Sequence, residues 1–182
     1  ASAVPQATLK QALSLISSKD TMKLHLLTPV VGGIACGAGC KFCIAGMTPV
    51  NETISKAVSP NVDSYKRVCE YAKAHGTETV LLTGKGEPCN WPDHISEYLA
   101  YTKPFGFRQI ELQTNGIRIA DRRPITKAHL VKWKDNGLDL IAISVTHYES
   151  EFNRKTYTPT RRSYIDLPLL IEDLHHLGFA VR

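Results

Sequence analysis

The sequence contains no long apolar run. No stretch approaches the roughly 20 residues that a bilayer-spanning helix needs, which argues against a membrane-embedded protein. The first ten residues, ASAVPQATLK, contain no basic segment followed by an apolar one. We therefore expect no secretion signal and a cytoplasmic protein. Internal repeats, low-complexity segments and a convincing linker are also absent, so the 182 residues are expected to form one globular core.

The sequence also lacks a concentration of charge of one sign. Its formal net charge of +5 comes from 22 Lys and Arg against 17 Asp and Glu, scattered along the chain. The basic clusters are short, as in Arg122-Arg123 and Arg161-Arg162. Scattered charge is typical of a solvated surface, whereas nucleic-acid binding usually shows a basic stripe. Nucleic acid is therefore a possible partner that the composition does not favour.

Three of the five cysteines lie within eight positions, and no fourth lies beside them. They belong to the stretch IACGAGCKFCIAG, residues Ile34 to Gly46. Three cysteines so close together do not form an ordinary disulfide framework in a chain of this size. The pattern therefore predicts a reducing compartment and a bound metal.

Strand and helix patterns alternate along the chain. The predicted strands are Lys23 to Val31, Glu78 to Thr83, Gln109 to Thr114, Leu138 to Thr146 and Phe179 to Arg182, and the apolar stretches TVLL and LIAISV suggest strands covered on both faces. The predicted helices run from Pro60 to His75, from Pro92, from a Thr126 cap to Gly137, and from near Pro168 to Gly178. The fold class is therefore α/β, with parallel strand-helix repeats that form a full or partial (β/α) barrel or an open sheet.

Two further expectations concern domain organisation. Apolar residues at helical spacing from Thr8 to Ser17 predict an N-terminal helical segment over residues 1–22, followed by a core domain over residues 23–182. The chain ends at or just after the fifth predicted strand. Because a bare parallel edge is a liability, we expect further β/α units, or a partner, to cover that edge.

Three explanations compete for Cys36, Cys40 and Cys43. Buried cysteines can act as small hydrophobic residues, but three among Gly37, Ala38 and Gly39 make a poor core pattern. Structural zinc needs four ligands, and no second pair or suitably spaced histidine follows. An iron-sulfur cluster accepts thiolates from a tight loop of small residues. A four-iron cluster held by three thiolates would keep one iron open.

The spacing Cys36-x3-Cys40-x2-Cys43, with Phe42 before the last cysteine, resembles the signature of the radical S-adenosylmethionine (SAM) enzymes. The resemblance implies a truncated (β/α)6 core, a four-iron four-sulfur (4Fe-4S) cluster and SAM, whose amino and carboxylate groups bind the fourth iron. It implies reductive cleavage of SAM to a 5'-deoxyadenosyl radical, with electrons from a donor such as a flavodoxin or ferredoxin.

Later strand ends extend this resemblance. The stretch TGKGEP is similar to the family's glycine-glycine-glutamate motif, with Lys85 where a glycine is usual, and implies that Gly86 and Glu87 meet the SAM amino group. By the same resemblance Asn115 in LQTNG and Ser144 in AISVTH bind SAM, and Arg161 pairs with its carboxylate. Asn115-Gly116 also suits an ordinary turn, and the arginine pair also suits a solvated surface.

The shared motifs fix how the radical starts and leave the substrate open. Gln113 and His147 are candidate substrate-facing residues, although surface-loop roles suit them equally. The preferred function is a radical SAM enzyme that abstracts hydrogen from a small molecule or peptide. One alternative is a radical SAM enzyme that methylates RNA. The other is a non-catalytic, metal-stabilised binding or electron-transfer module.

Overall fold

Five parallel strands form the centre of the fold. The computed structural model describes residues 23–47, 59–160 and 164–182. Its strands are β1 (Leu26–Leu27), β2 (Thr79–Leu82), β3 (Gln109–Thr114), β4 (Leu140–Ile143) and β5 (Ala180–Val181). They pair in sequence order, every neighbouring pair is parallel, and the sheet does not close. The predicted α/β class and the predicted strand-helix repeats are confirmed.

Helices follow the strands. They are α1 (Ile44–Met47), α2 (Val62–Ala74), α3 (Pro92–Thr102), α4 (Ile117–Asp121), α5 (Lys127–Asp135), α6 (Ser150–Tyr157) and α7 (Leu167–His176), with 3-10 turns at Pro88–Asn90 and Lys103–Phe105. Side chains of Asn61, Thr126 and Asp166 cap α2, α5 and α7 by accepting a backbone N–H three residues further on. The Thr126 cap was predicted, whereas α1, α4 and α6 were not.

The helices cover one face of the sheet. In β2 and β4 the residues alternate, so that Val80, Leu82, Ile141 and Ile143 are buried against the helices while their neighbours are partly exposed. The expectation that both faces are covered is therefore wrong for these strands. The other face is the inner wall of the open barrel, where Glu111 and Arg182 form an ion pair of 2.6 Å.

The first strand is shorter than predicted because of a proline. The prediction ran from Lys23 to Val31, but the regular ladder covers β1 alone and resumes as a single bridge between Val30 and Thr83. Pro29 has no N–H to donate, so it contributes only its carbonyl, which accepts from Thr83 N at 3.2 Å. Pairing continues to Val31, whose N–H donates to Thr83 O at 2.7 Å.

Some predictions fall outside the described residues. They are the helix expected from Thr8 to Ser17, the domain boundary between residues 22 and 23, and the SAM-binding role of Arg161. Across the described ranges, none of the helices combines the length and the apolar character that a membrane crossing requires.

A matched pair of substitutions tests the packing. Leu112 in the central strand β3 is fully buried, whereas Leu169 in α7 is 57% exposed. We expect Leu112→Ala to lower the free energy of unfolding by about 2–5 kcal/mol through lost burial and a cavity, and Leu169→Ala to change it by no more than about 0.5 kcal/mol. Equilibrium urea unfolding measures both values. Equal losses would contradict the assignment of β3 to the core.

Candidate active site

The loops that follow the first four strands surround one cavity of about 480 Å³. This is within the usual size of a small-molecule site. Its lining includes the predicted site residues Cys36, Cys40, Phe42, Cys43, Gly86, Glu87, Gln113, Asn115 and Ser144. The cavity therefore lies at the carboxyl ends of the strands, where open parallel folds bind their ligands.

The three clustered cysteines approach the cavity from the loop after β1. Cys36 is exposed, Cys40 and Cys43 are partly buried, and Cys43 N donates to Cys40 O at 3.1 Å just before α1. Among the residues described, no three His, Cys, Asp or Glu side chains converge on a point that could hold a single metal ion. All three cysteines line the same cavity, and thiolates are the donors that iron-sulfur clusters use.

Burial controls the protonation of two of these thiols. It raises the pKa of Cys36 and of Cys40 above the ordinary value. The charge of Glu87 raises the pKa of Cys36 further, and the hydrogen bond from the Asn115 amide lowers it. The thiolate is the form that binds metal. A metal group held by these thiols would displace their protons, so low pH would oppose its binding.

Gly86 brings the GKGEP loop against the backbone that leads to Cys36. Its N–H donates to Gly33 O at 3.2 Å, and the next residue's N–H donates to Ala35 O at 3.0 Å. A Cβ at position 86 would lie 2.5 Å from Ala35 O and 2.5 Å from the carbonyl carbon of Ile34. No side chain fits at that distance, so only glycine permits this contact.

Glu87 is buried, with an exposed fraction of 3%, and its carboxylate accepts three hydrogen bonds. Its Oε1 accepts from Thr114 Oγ1 at 2.5 Å and from Cys89 N at 3.0 Å, and its Oε2 accepts from Asn115 N at 2.9 Å. Burial raises the pKa of this carboxyl, and the three donors oppose that shift in part. The carboxylate thus joins the loop after β2 to the end of β3.

Asn115 connects this junction to the cysteines. Its Oδ1 accepts from Ile117 N at 3.0 Å at the start of α4, and its Nδ2 lies 3.6 Å from Cys36 Sγ. Gly116, with φ of 76°, makes the turn that the dipeptide suggests. The same segment is therefore both a turn and a hydrogen-bond donor to a predicted metal ligand.

The other predicted residues divide between the cavity and its surroundings. Gln113 is exposed in the cavity, where its Oε1 accepts from Thr83 Oγ1 at 3.2 Å, and Ser144 lies at the end of β4. His147 is not among the lining residues. Its ring stacks between those of Tyr148 and Phe152, with centroids 4.4 Å from each. The predicted position Arg161 lies outside the described residues.

The cysteine loop has a second contact that the sequence analysis did not predict. Residues 157–160, which we call the strap, pack against residues 37–39. Thr158 Oγ1 donates to Gly39 O at 2.6 Å, Thr160 N donates to Gly37 O at 3.1 Å, and Ala38 bridges Pro159. The Tyr157 ring lies edge-on to that of Phe42 at 5.8 Å. No sequence signal links segments about 119 positions apart.

The remaining two cysteines, Cys69 and Cys89, are not part of the cysteine loop. Cys69 is buried in α2. Cys89 is buried after the GKGEP loop, and its backbone N–H donates to Glu87 Oε1. Burial raises the pKa of both thiols. Both therefore belong to the core.

Comparison with solved structures identifies the fold. The chain resembles methylornithine synthase (PylB) with a TM-score of 0.59 at 17% identity, covering 98% of this chain and 51% of that one. It resembles anSMEcpe with bound AdoMet with a TM-score of 0.56 at 15% identity, covering 87% of this chain and 43% of that one. It also resembles BtrN in complex with AdoMet and 2-DOIA, with a TM-score of 0.51 at 15% identity, covering 77% and 53%.

Curated relatives share sequence with the chain. It is 33% identical over 111 residues to a GTP 3',8-cyclase of Klebsiella pneumoniae, covering 60% of this chain and 31% of that protein. It is 32% identical over 114 residues to a GTP 3',8-cyclase of Haemophilus influenzae, covering 60% and 30%. The chain therefore matches about a third of the length of these relatives.

The model of the radical SAM superfamily matches residues 30–179, which is most of the chain. The chain belongs to the radical SAM superfamily.

Proposed function

We propose that this chain is the catalytic core of an enzyme that cleaves SAM reductively and uses the resulting 5'-deoxyadenosyl radical to abstract hydrogen from a small molecule or peptide. The observation that carries the proposal is the convergence of Cys36, the Gly86-Glu87 pair, Asn115 and Ser144 on one cavity. Membership of the superfamily implies an enzyme that uses a 4Fe-4S cluster, SAM and a reductant. Such a reductant is a flavodoxin or ferredoxin.

In this proposal Cys36, Cys40 and Cys43 hold the cluster as thiolates. When bound, the cluster supplies the electron that breaks the sulfur-carbon bond of SAM. The chain's own residues prepare the site for that group. Asn115 Nδ2, 3.6 Å from Cys36 Sγ, stabilises the thiolate by donating to it. The strap fixes the backbone between Cys36 and Cys40 from the other side.

Binding of SAM is assigned to the strand ends that line the same cavity. Gly86 exposes backbone to the SAM amino group, and the nearby Glu87 carboxylate provides the negative field that favours a cationic ligand. Ser144 and Asn115 contact the methionyl or ribose part, Phe42 packs beside the cofactor, and Arg161 pairs with the carboxylate. Glu87 accepts three hydrogen bonds, which leaves one of the roughly four lone-pair sites of its carboxylate for the SAM ammonium.

The substrate side is assigned to residues beyond those that bind SAM. Gln113 lies in the cavity, and His147 lies outside it in an exposed ring stack with Tyr148. The curated relatives named GTP 3',8-cyclase support a substrate-modifying enzyme. Because the chain matches only 31% of the first relative's length, the proposal does not adopt GTP as the substrate.

The first test is the production of 5'-deoxyadenosine from SAM. Protein reconstituted and reduced without oxygen should form 5'-deoxyadenosine even without substrate, as chromatography can measure. Cys36→Ala, Cys40→Ala and Cys43→Ala should each lose both iron and product, because two thiolates are too few to retain the cluster.

The matched control for these variants is Cys69→Ala. Cys69 is buried in α2, so its loss should affect neither iron content nor product. Stoichiometric zinc without sulfide in wild-type protein, or no 5'-deoxyadenosine from a protein that holds a full cluster, would favour the non-catalytic module.

The second test concerns the charge of Glu87. Glu87→Gln removes the negative charge and places an amide NH2 group against either the Thr114 and Cys89 donors or the Asn115 N–H. We expect SAM affinity to fall by about tenfold to a hundredfold, the range of a lost charge-assisted hydrogen bond, with iron content unchanged. Equilibrium binding to reconstituted protein measures the effect.

The control for this variant is Glu78→Gln, which removes the same charge from an exposed ion pair with Arg108 just before β2. It should bind SAM as the wild type does. If Glu87→Gln and the wild type bind SAM equally, Glu87 has no part in the SAM site.

A further inference from the structure

Lys85 is a cation in the cavity that the proposed function does not use. It occupies the position in GKGEP where the family motif usually has glycine, and it lines the same cavity as the cysteines. Of the lining residues within the described ranges, it is the one Lys or Arg. It is partly buried, and the described part of the chain gives its side chain neither a hydrogen bond nor an ion pair.

The nearby carboxylates are already engaged. Glu87 is the one Asp or Glu among the described lining residues, and its two oxygens accept from Thr114, Cys89 and Asn115. On the same inner face of the sheet, Glu111 pairs with Arg182. Within the described residues, Lys85 therefore has no carboxylate partner.

A free hydrogen-bond donor lies on the adjacent strand. Thr83 Oγ1 donates to Gln113 Oε1 at 3.2 Å. The Nε2 group of Gln113 carries two N–H donors that have no acceptor among the described residues. Thr83 follows β2 by one residue and Gln113 is next to the last residue of β3, so Lys85 and Gln113 come from neighbouring strand ends.

We propose that Lys85 and Gln113 form a subsite for an anionic group of the substrate, either a carboxylate or a phosphate. This inference rests on the proposed function. SAM would bring a positive sulfonium into the same cavity, and an anion bound at Lys85 would offset the repulsion between the two positive charges. The Lys85 ammonium would balance the negative charge of a carboxylate or phosphate, and the two amide N–H groups of Gln113 would donate hydrogen bonds to its oxygens. The substitution of lysine for glycine thereby selects an acidic substrate.

The test uses reconstituted, SAM-saturated protein titrated with inorganic phosphate in one arm and with acetate in the other. We expect the wild type to bind at least one of them, and the arm that binds identifies the acidic group. Lys85→Met should weaken that binding by about tenfold or more, and Lys85→Arg should retain most of it. Lys66→Met, which removes the same charge from an exposed position in α2, should bind as the wild type does.

A second readout uses the wild-type protein alone. An amine-reactive reagent followed by mass spectrometry should label Lys85 more slowly when the bound anion is present, while the labelling of Lys66 stays the same. Iron content and the SAM-induced spectral change, measured on the same samples, report separately on the proposed function.

Three results would overturn the subsite. The first is that neither anion binds to wild-type protein that holds its cluster and SAM. The second is equal anion binding by Lys85→Met and the wild type, without protection of Lys85 from labelling. The third is that Lys85→Met loses SAM affinity by the same factor as anion affinity, which would make the SAM carboxylate the partner of Lys85.

Discussion

The buried carboxylate of Glu87 holds the site together. A carboxylate without partners is very costly inside a protein, and this one is stabilised by three donors from two separate strand ends. It thereby fixes the loop after β2 against the end of β3. Through Asn115, which receives its position from the same carboxylate, the junction extends to Cys36. The cysteine loop, the GKGEP loop and the end of β3 therefore form one hydrogen-bonded unit.

The cysteine loop is held from both sides. Gly86 allows one side to approach the backbone of residues 33–35, and the strap binds Gly37 and Gly39 on the other. Small residues in the loop make this possible because backbone groups, rather than side chains, provide the contacts. The backbone contacts of the fold itself therefore shape the loop that carries the three thiols.

Sequence patterns predicted the strands and the lining of the cavity because both depend on local signals, namely apolar periodicity and motif spacing. They did not predict α6, whose residues Ser150–Tyr157 are mostly polar, or the strap that follows it, because a contact across 119 positions leaves no local pattern. Nor did they predict that Glu87 is buried and accepts from donors at the end of β3, because motif spacing does not reveal contacts between strand ends. The shortening of β1 was foreseeable from Pro29, which cannot donate to a ladder.

The central claim is that three cysteines hold a 4Fe-4S cluster whose fourth iron is open to SAM. The most direct measurement is the electron paramagnetic resonance spectrum of the reduced, reconstituted protein before and after addition of SAM. The account predicts about four irons and four sulfides per chain, as a cubane cluster requires, and a spectrum that changes when SAM binds the open iron. A cluster spectrum that is the same with and without SAM would contradict it.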